Sequence, residues 1–151
     1  MLPELEPEID FYAEDLAFDL PAQTEVKQWL ITVAASEHSD IQELTFIFCS
    51  DAYLLELNQQ YLEHDTLTDV ITFDYAEESG VVEGDVFISV ERTRENAAEM
   101  GVAHLQELHR VMVHGLLHLL GYTDKTDEEK ATMRTKEDFY LNLRPFSVKE
   151  M

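Results

Sequence analysis

Apolar residues recur along the chain in two rhythms, one of period two and one of three to four. Ile9-Asp10-Phe11-Tyr12 is a short alternating run that fits an edge strand. Leu44-Thr45-Phe46-Ile47-Phe48 is β-branched and aromatic, too short for a helix, and predicts a buried strand. Val70–Tyr75 alternates as a strand, residues 77–80 form a turn, and Asp85–Ile88 forms another strand, so the three together fit a hairpin. Helical spacing begins after Pro21, with Thr24 as N-cap and Val26, Trp29, Leu30 and Val33 on one face, and ends near residues 36–38. Ser50 and Asp51 cap a second helix carrying Leu54, Leu55, Leu57 and Tyr61. Ser89, with Arg92 three positions on, starts a third without a capping box, running to about Met100-Gly101. From His104 to Leu120 the pattern is helical and rich in Leu and Val, and Gly121 stands where a C-terminal cap belongs. A last helix over 127–142 is entered through Thr126 with Glu129 at N3, a capping box. Met100, Met112 and Met133 read as core fillers.

The order βαβα, two strands, three helices predicts an α+β fold: one domain over 1–151, a small mixed sheet and five to six helices around a central apolar one. At 151 residues and 45% apolar composition, one core is the expectation, with no repeat or linker to divide it. No apolar run reaches the roughly 18–20 residues of a membrane span. The acidic first thirty residues argue against a secretory or transit peptide, and the lone Cys49 fits a reducing, cytoplasmic setting.

Charge changes the picture. The net charge is -22, and residues 1–91 carry 22 acids against one base, Lys27. Residues 92–151 carry 10 acids and 9 bases. Such a balance argues against bulk binding of nucleic acid, DNA included, because that needs clustered Lys and Arg to displace phosphate counterions. A solvated acidic face is the ordinary explanation of the bias. Any RNA contact falls to the C-terminal part, with Arg92, Arg94, Arg110 and Lys125 as candidates; solvated helix faces account for the arginines equally well.

Chemistry concentrates at His114-Gly-Leu-Leu-His118-Leu-Leu-Gly-Tyr-Thr-Asp124. Two histidines one helical turn apart project from one face and can seat two ligands on one ion. Gly121 lets the chain turn back, returning Asp124 to the same point, at the C-terminal end of the central helix. Two imidazoles and a carboxylate make a three-ligand set for catalytic Zn²⁺, with the fourth position left to water. A bare HxxxH is weak, with roughly 0.2 such pairs expected by chance here, and buried histidines satisfied by hydrogen bonds are common. The flanking apolar helix, glycine and carboxylate strengthen the reading. Zinc proteases of HExxH type place a glutamate as general base where Gly115 stands, so peptide hydrolysis by that route is disfavoured.

The stretch His114–Tyr122 resembles the signature HGxLHLxGYDH of the YbeY family, bacterial metal-dependent endoribonucleases that act in rRNA maturation. Leu57-Asn58-Gln59-Gln60-Tyr61 with Thr68-Asp69-Val70-Ile71-Thr72-Phe73 is similar to that family's LNxxYR…TDVLSF, and Gly84–Ser89 to its GDIxIS strand. With Met133 and Glu137 in the last helix, the likeness spans about residues 44–138. Three positions depart from it. Asp124 takes the place of the third metal-ligand histidine, Thr123 that of the Asp before it, and Leu62 that of the arginine after the tyrosine, with His64 nearby as a polar group or a plain surface residue.

The resemblance implies hydrolysis of single-stranded RNA in rRNA maturation, at the 3′ end of the small-subunit rRNA, and in ribosome quality control. It implies one divalent ion, Zn²⁺ above others, held by His114, His118 and Asp124, and partners among ribosomal proteins or a ribosome-associated GTPase. Asp69 and Asp85, each near a strand start, are candidate catalytic or metal-supporting carboxylates, though turn residues look the same; Arg92 and Arg110 are candidate substrate contacts. Two alternatives stand beside this: a metalloprotease-like hydrolase, and a non-catalytic, metal-containing ribosome assembly factor.

Overall fold

Strand β2 (Asp40–Cys49) is twice the length of the apolar run that announces it. Its first four residues, exposed but for Ile41, are drawn into the sheet by pairing with β4 (Val81–Ser89) across a register irregularity between Ile41 and Glu43. The computed structural model describes residues 6–61 and 68–145. Leu62 and His64 lie outside the described residues. β1 (Glu8–Ala13) runs parallel to β2, β2 parallel to β4, and β3 (Val70–Asp74) antiparallel to β4, giving the order β1-β2-β4-β3. The sheet is therefore mixed, as the alternation of strands and helices predicts, and β3 and β4 form the expected hairpin.

Five helices accompany it among the described residues: α1 (Gln23–Ser36), α2 (Asp51–Tyr61), α3 (Val90–Met100), α4 (His104–Leu119) and α5 (Asp127–Asn142). Helix α1 starts two residues earlier than its side chains suggest. Its N-cap is Ala22, in the left-handed region, with no side-chain cap, so Thr24 lies inside the first turn rather than capping it. Ser89 caps α3 by accepting from the Arg92 amide at 3.0 Å, and Thr126 and Glu129 form the reciprocal box at the start of α5.

Alternation along β4 divides the sheet into two faces. Val82, Gly84, Val86 and Ile88 are buried towards α4, whereas Phe87 joins Ile71, Phe73, Leu54 and Cys49 in a smaller cluster on the α2 side. The larger core unites Trp29, Leu30, Phe46, Phe48, Leu108, Met112, Leu116 and Leu117, each side chain contributing roughly 1.5–3 kcal/mol by burial. Met112 and Met133 are core residues as expected; Met100 is not, being 44% exposed at the last turn of the amphipathic α3. Cys49 is buried, and burial together with nearby carboxylates pushes its thiol up to about 12, which leaves it inert.

Candidate metal centre

Helix α4 presents His114 and His118 on one flank of Gly115, which lies between them in sequence and is pressed against the sheet. A Cβ at Gly115 would stand 2.6 Å from Val86 Cγ1. The position where zinc proteases carry their glutamate is thus a packing contact, with no room for a longer side chain.

Asp124 reaches the histidines through a tight stop. After Leu119, Gly121 adopts φ 107°, its amide donates to the His118 carbonyl at 3.0 Å, and the Tyr122 amide donates to the Leu117 carbonyl at 3.0 Å. This paired arrangement closes the helix with a left-handed residue that glycine adopts without strain.

The result is a compact triangle of donor atoms. His114 Nε2 and His118 Nε2 are 3.0 Å apart, and Asp124 Oδ2 lies 3.4 Å from the first and 3.5 Å from the second. Donors around a tetrahedral ion with bonds of about 2.0–2.2 Å stand roughly 3.3–3.5 Å from one another. A point about 1.9 Å from all three atoms exists, so a small displacement from their plane reaches zinc bond lengths. The residues fit a divalent ion, and they form a group of the kind that holds one.

Each imidazole is held by its other nitrogen. His114 Nδ1 lies 2.7 Å from Glu137 Oε2, and His118 Nδ1 lies 3.0 Å from the Tyr122 carbonyl. Since a carboxylate and a carbonyl only accept, Nδ1 is protonated in both rings, and the two Nε2 atoms face a shared site where a bound ion would replace the proton that their 3.0 Å contact needs. Burial lowers the proton affinity of both histidines. At His114 the Glu137, Asp124 and Asp69 carboxylates outweigh it and the pKa is raised; at His118 burial and the neighbouring His114 prevail and it is lowered.

Glu137 is a site residue that residue-type patterning passes over. It is 5% exposed and occupies the buried stripe of α5 with Met133, Tyr140 and Leu141. An acid on such a stripe is the signal that finds it. Its other oxygen accepts from Arg110 Nη1 at 3.1 Å. Arg110 also meets Asp138 Oδ1 at 2.9 Å and lies 3.7 Å from Glu107 Oε1. Its guanidinium is thereby committed to carboxylates, so it supports His114 through Glu137 and is not a free phosphate contact. Arg92 is engaged in a similar way: Asp51 at 3.0 Å and Glu95 at 2.8 Å hold it at the start of α3. Arg94 and Lys125 remain exposed.

The two candidate aspartates part company. Asp69, just before β3, interacts electrostatically with His114, Glu107 and Glu137; burial raises its pKa, and the His114 cation opposes that rise. Asp85 sits opposite Phe73, on the sheet face away from α4, and accepts from the Tyr75 hydroxyl at 3.1 Å. Strand parity removes Asp85 from the metal centre, because odd-numbered residues of β4 face α2.

An α+β domain with a two-histidine, one-aspartate group at the end of its central helix defines the class. Residues 8–144 match the family model described as Endoribonuclease YbeY. The chain is 50% identical over 141 residues to Endoribonuclease YbeY of Cytophaga hutchinsonii, covering 93% of this chain and 99% of that one. It is 48% identical to the protein of the same description from Flavobacterium psychrophilum, covering 90% and 95%. The solution structure of TM1509 from Thermotoga maritima superposes with a TM-score of 0.62 at 30% identity, over 89% of this chain and 87% of that one. The chain belongs to the YbeY endoribonuclease family, hydrolases that act on RNA.

Proposed function

We propose that this protein is a metal-dependent endoribonuclease that cleaves single-stranded RNA during rRNA maturation, at the 3′ end of the small-subunit rRNA, and in ribosome quality control. The observation that carries the metal part is the triangle of His114 Nε2, His118 Nε2 and Asp124 Oδ2, with edges of 3.0–3.5 Å. These residues hold one divalent ion, Zn²⁺ in preference, within a domain spanning 1–151. A bound zinc ion lowers the pKa of its water towards about 7 and so supplies hydroxide at neutral pH.

The chain's own residues do the rest. Glu137 and the Tyr122 carbonyl fix both imidazole tautomers. Asp69 serves as the group that accepts and returns a proton; its charge coupling to His114 and a proton affinity raised by burial support that role. Arg94 and Lys125 are among the exposed cations that the less acidic part of the chain offers to the RNA backbone. The setting is the cytoplasm, with ribosomal proteins or a ribosome-associated GTPase as partners; no helix among the described residues is long and apolar enough to cross a membrane.

A second reading, a non-catalytic assembly factor that keeps its metal for structure, gains from the commitment of Arg92 and Arg110 to internal ion pairs. The protease reading loses further ground, since the wall of Val86 leaves Gly115 no space for a glutamate. Zinc-loaded protein incubated with single-stranded rRNA fragments and with casein, against a His114→Ala control, separates the three. Cleavage of RNA alone, lost in the control, is the expected result; casein cleavage or inertness towards both would displace it.

A further inference from the structure

We propose that Glu37 is a positioning residue for the metal centre, acting on His118 through Tyr122; this rests on reading His114, His118 and Asp124 as the metal ligands. Glu37 is the C-cap of α1, far from the centre in sequence. An acid there faces the negative end of the helix dipole, so α1 itself gains nothing from it. Its carboxylate instead collects three donors from the other side of the molecule. Tyr122 Oη donates to Oε1 at 2.5 Å, Lys136 Nζ lies 3.1 Å from Oε2, and the Tyr140 hydroxyl donates to Oε2. Burial works against the charged form, yet these three donors outweigh it and hold the carboxyl below its ordinary range.

Tyr122 is also the residue whose carbonyl receives His118 Nδ1 at 3.0 Å. Its amide is bonded to the Leu117 carbonyl at 3.0 Å, and Lys136 Nζ lies over its ring, 5.6 Å from the centroid. Tyr122 is therefore gripped at three points, and the Glu37 contact is the one that fixes its outer end. Releasing the ring frees the carbonyl to turn from His118. That imidazole then loses the acceptor which keeps its proton on Nδ1, and its Nε2 lone pair is no longer reserved for the ion.

The full-length protein, labelled with ¹⁵N in histidine, tests this by the ring-nitrogen shifts of the metal-free state above the histidine titration range. Zinc affinity by chelator competition is the second readout. In the wild type His118 should be wholly Nδ1–H. Glu37→Gln and Tyr122→Phe should each give His118 a visible Nε2–H fraction and weaken zinc roughly tenfold, the low end for groups that hold a ligating histidine. His114, held by Glu137, should not change. Tyr122→Phe keeps the ring and its packing, so it decides the matter if Glu37→Gln folds poorly. Tyr140→Phe, which removes a donor from Glu37 Oε2 without cutting the bond from Tyr122 to Oε1, should leave the His118 tautomer as it was. Unchanged His118 shifts and zinc affinity in both variants would overturn the proposal, as would the same effect from Tyr140→Phe. Failure of the wild type to bind zinc would overturn the metal reading instead, and the nitrogen shifts would still decide the role of Glu37.

Discussion

Gly115 of α4 and Val86 of β4 are in contact so close that a Cβ on the glycine would come within 2.6 Å of Val86 Cγ1 and 3.3 Å of Cγ2. The contact sets how near the metal-bearing helix lies to the sheet, and hence where both histidines project. Gly115→Ala brings two opposing effects. Alanine favours the helix by about 1 kcal/mol, whereas overpacking a dense core costs about 1–3 kcal/mol. Valine is stiff about χ1 and cannot swing aside, so the clash prevails. The variant should lose up to about 2 kcal/mol in urea unfolding, the balance of those two magnitudes, and bind zinc less tightly. A variant as stable as the wild type would show that the helix can lift without cost.

Removing Glu137 strips His114 of its acceptor and Arg110 of one of its carboxylates. Glu137→Ala should therefore reduce zinc affinity by about 10–100-fold. It should also destabilise the fold by on the order of 3 kcal/mol, because it leaves a half-buried guanidinium short of a partner. Glu137→Gln, which can still accept from His114, should lose less of both. Chelator competition and thermal unfolding on the same samples separate the two effects.

Asp124 is the hardest donor of the three. Asp124→His should keep the ion and shift preference further towards Zn²⁺ over Mn²⁺, as imidazole is softer than carboxylate. Asp124→Ala removes one of three protein ligands and should weaken binding clearly. Equal affinity in the wild type and the alanine variant would contradict the ligand assignment.

The strand and helix order, the hairpin, the capping box of α5 and the turn at Gly121 were all legible, since each follows from local periodicity or a single residue's backbone preference. The convergence of His114, His118 and Asp124 was legible for the same reason, being set within eleven residues of chain. What escaped depends on contacts distant in sequence. Glu137 lies 23 positions from His114 and Glu37 is 85 from Tyr122, and neither separation is fixed by any local rule. Asp85 was misplaced because its side of the sheet depends on which face α4 covers. Arg110 looks like a surface cation until α5 folds over it. The N-cap of α1 went to Ala22 because the turn after Pro21 decides where the helix begins, ahead of the side-chain preference of Thr24.

Glu107 gives a pH signature. It is 5% exposed, and burial followed by the charge of Asp69 raises its pKa from 4.5 to about 7. The folded state thus holds this proton more tightly than the unfolded chain. Between those two values the folded state carries more protons, so stability falls as pH rises and levels off above about 7. The full excursion is up to about 3 kcal/mol, at roughly 1.4 kcal/mol per unit. Glu107→Gln should remove most of that slope. The variant should gain on the wild type between pH 5 and pH 8 in urea unfolding, and parallel curves would refute the assignment.

The RNA approach gives the last prediction. Residues 1–91 carry -21 and repel a phosphate chain, which leaves the part bearing the metal group as the open side. Within it, Arg92 and Arg110 are held by carboxylates at 2.8–3.1 Å, so reversing them would damage the fold before it touched RNA. Arg94 and Lys125 are exposed, and Lys125 follows the proposed ligand Asp124 directly. Few phosphates can be neutralised by so few cations, so the salt dependence of binding should be shallow. Each contact contributes about -0.7 to the slope of log affinity against log salt for single strands. Lys125→Glu and Arg94→Glu should each flatten that slope by about one contact's worth and weaken binding at low salt. Lys27, which lies 5.9 Å from the Phe11 ring centroid and belongs to the acidic part, serves as the control: Lys27→Glu should leave the slope unchanged. A fluorescence-anisotropy titration of a single-stranded RNA across salt concentrations reads all three. If Lys27→Glu flattens the slope as much as Lys125→Glu does, RNA does not approach from the metal-bearing side.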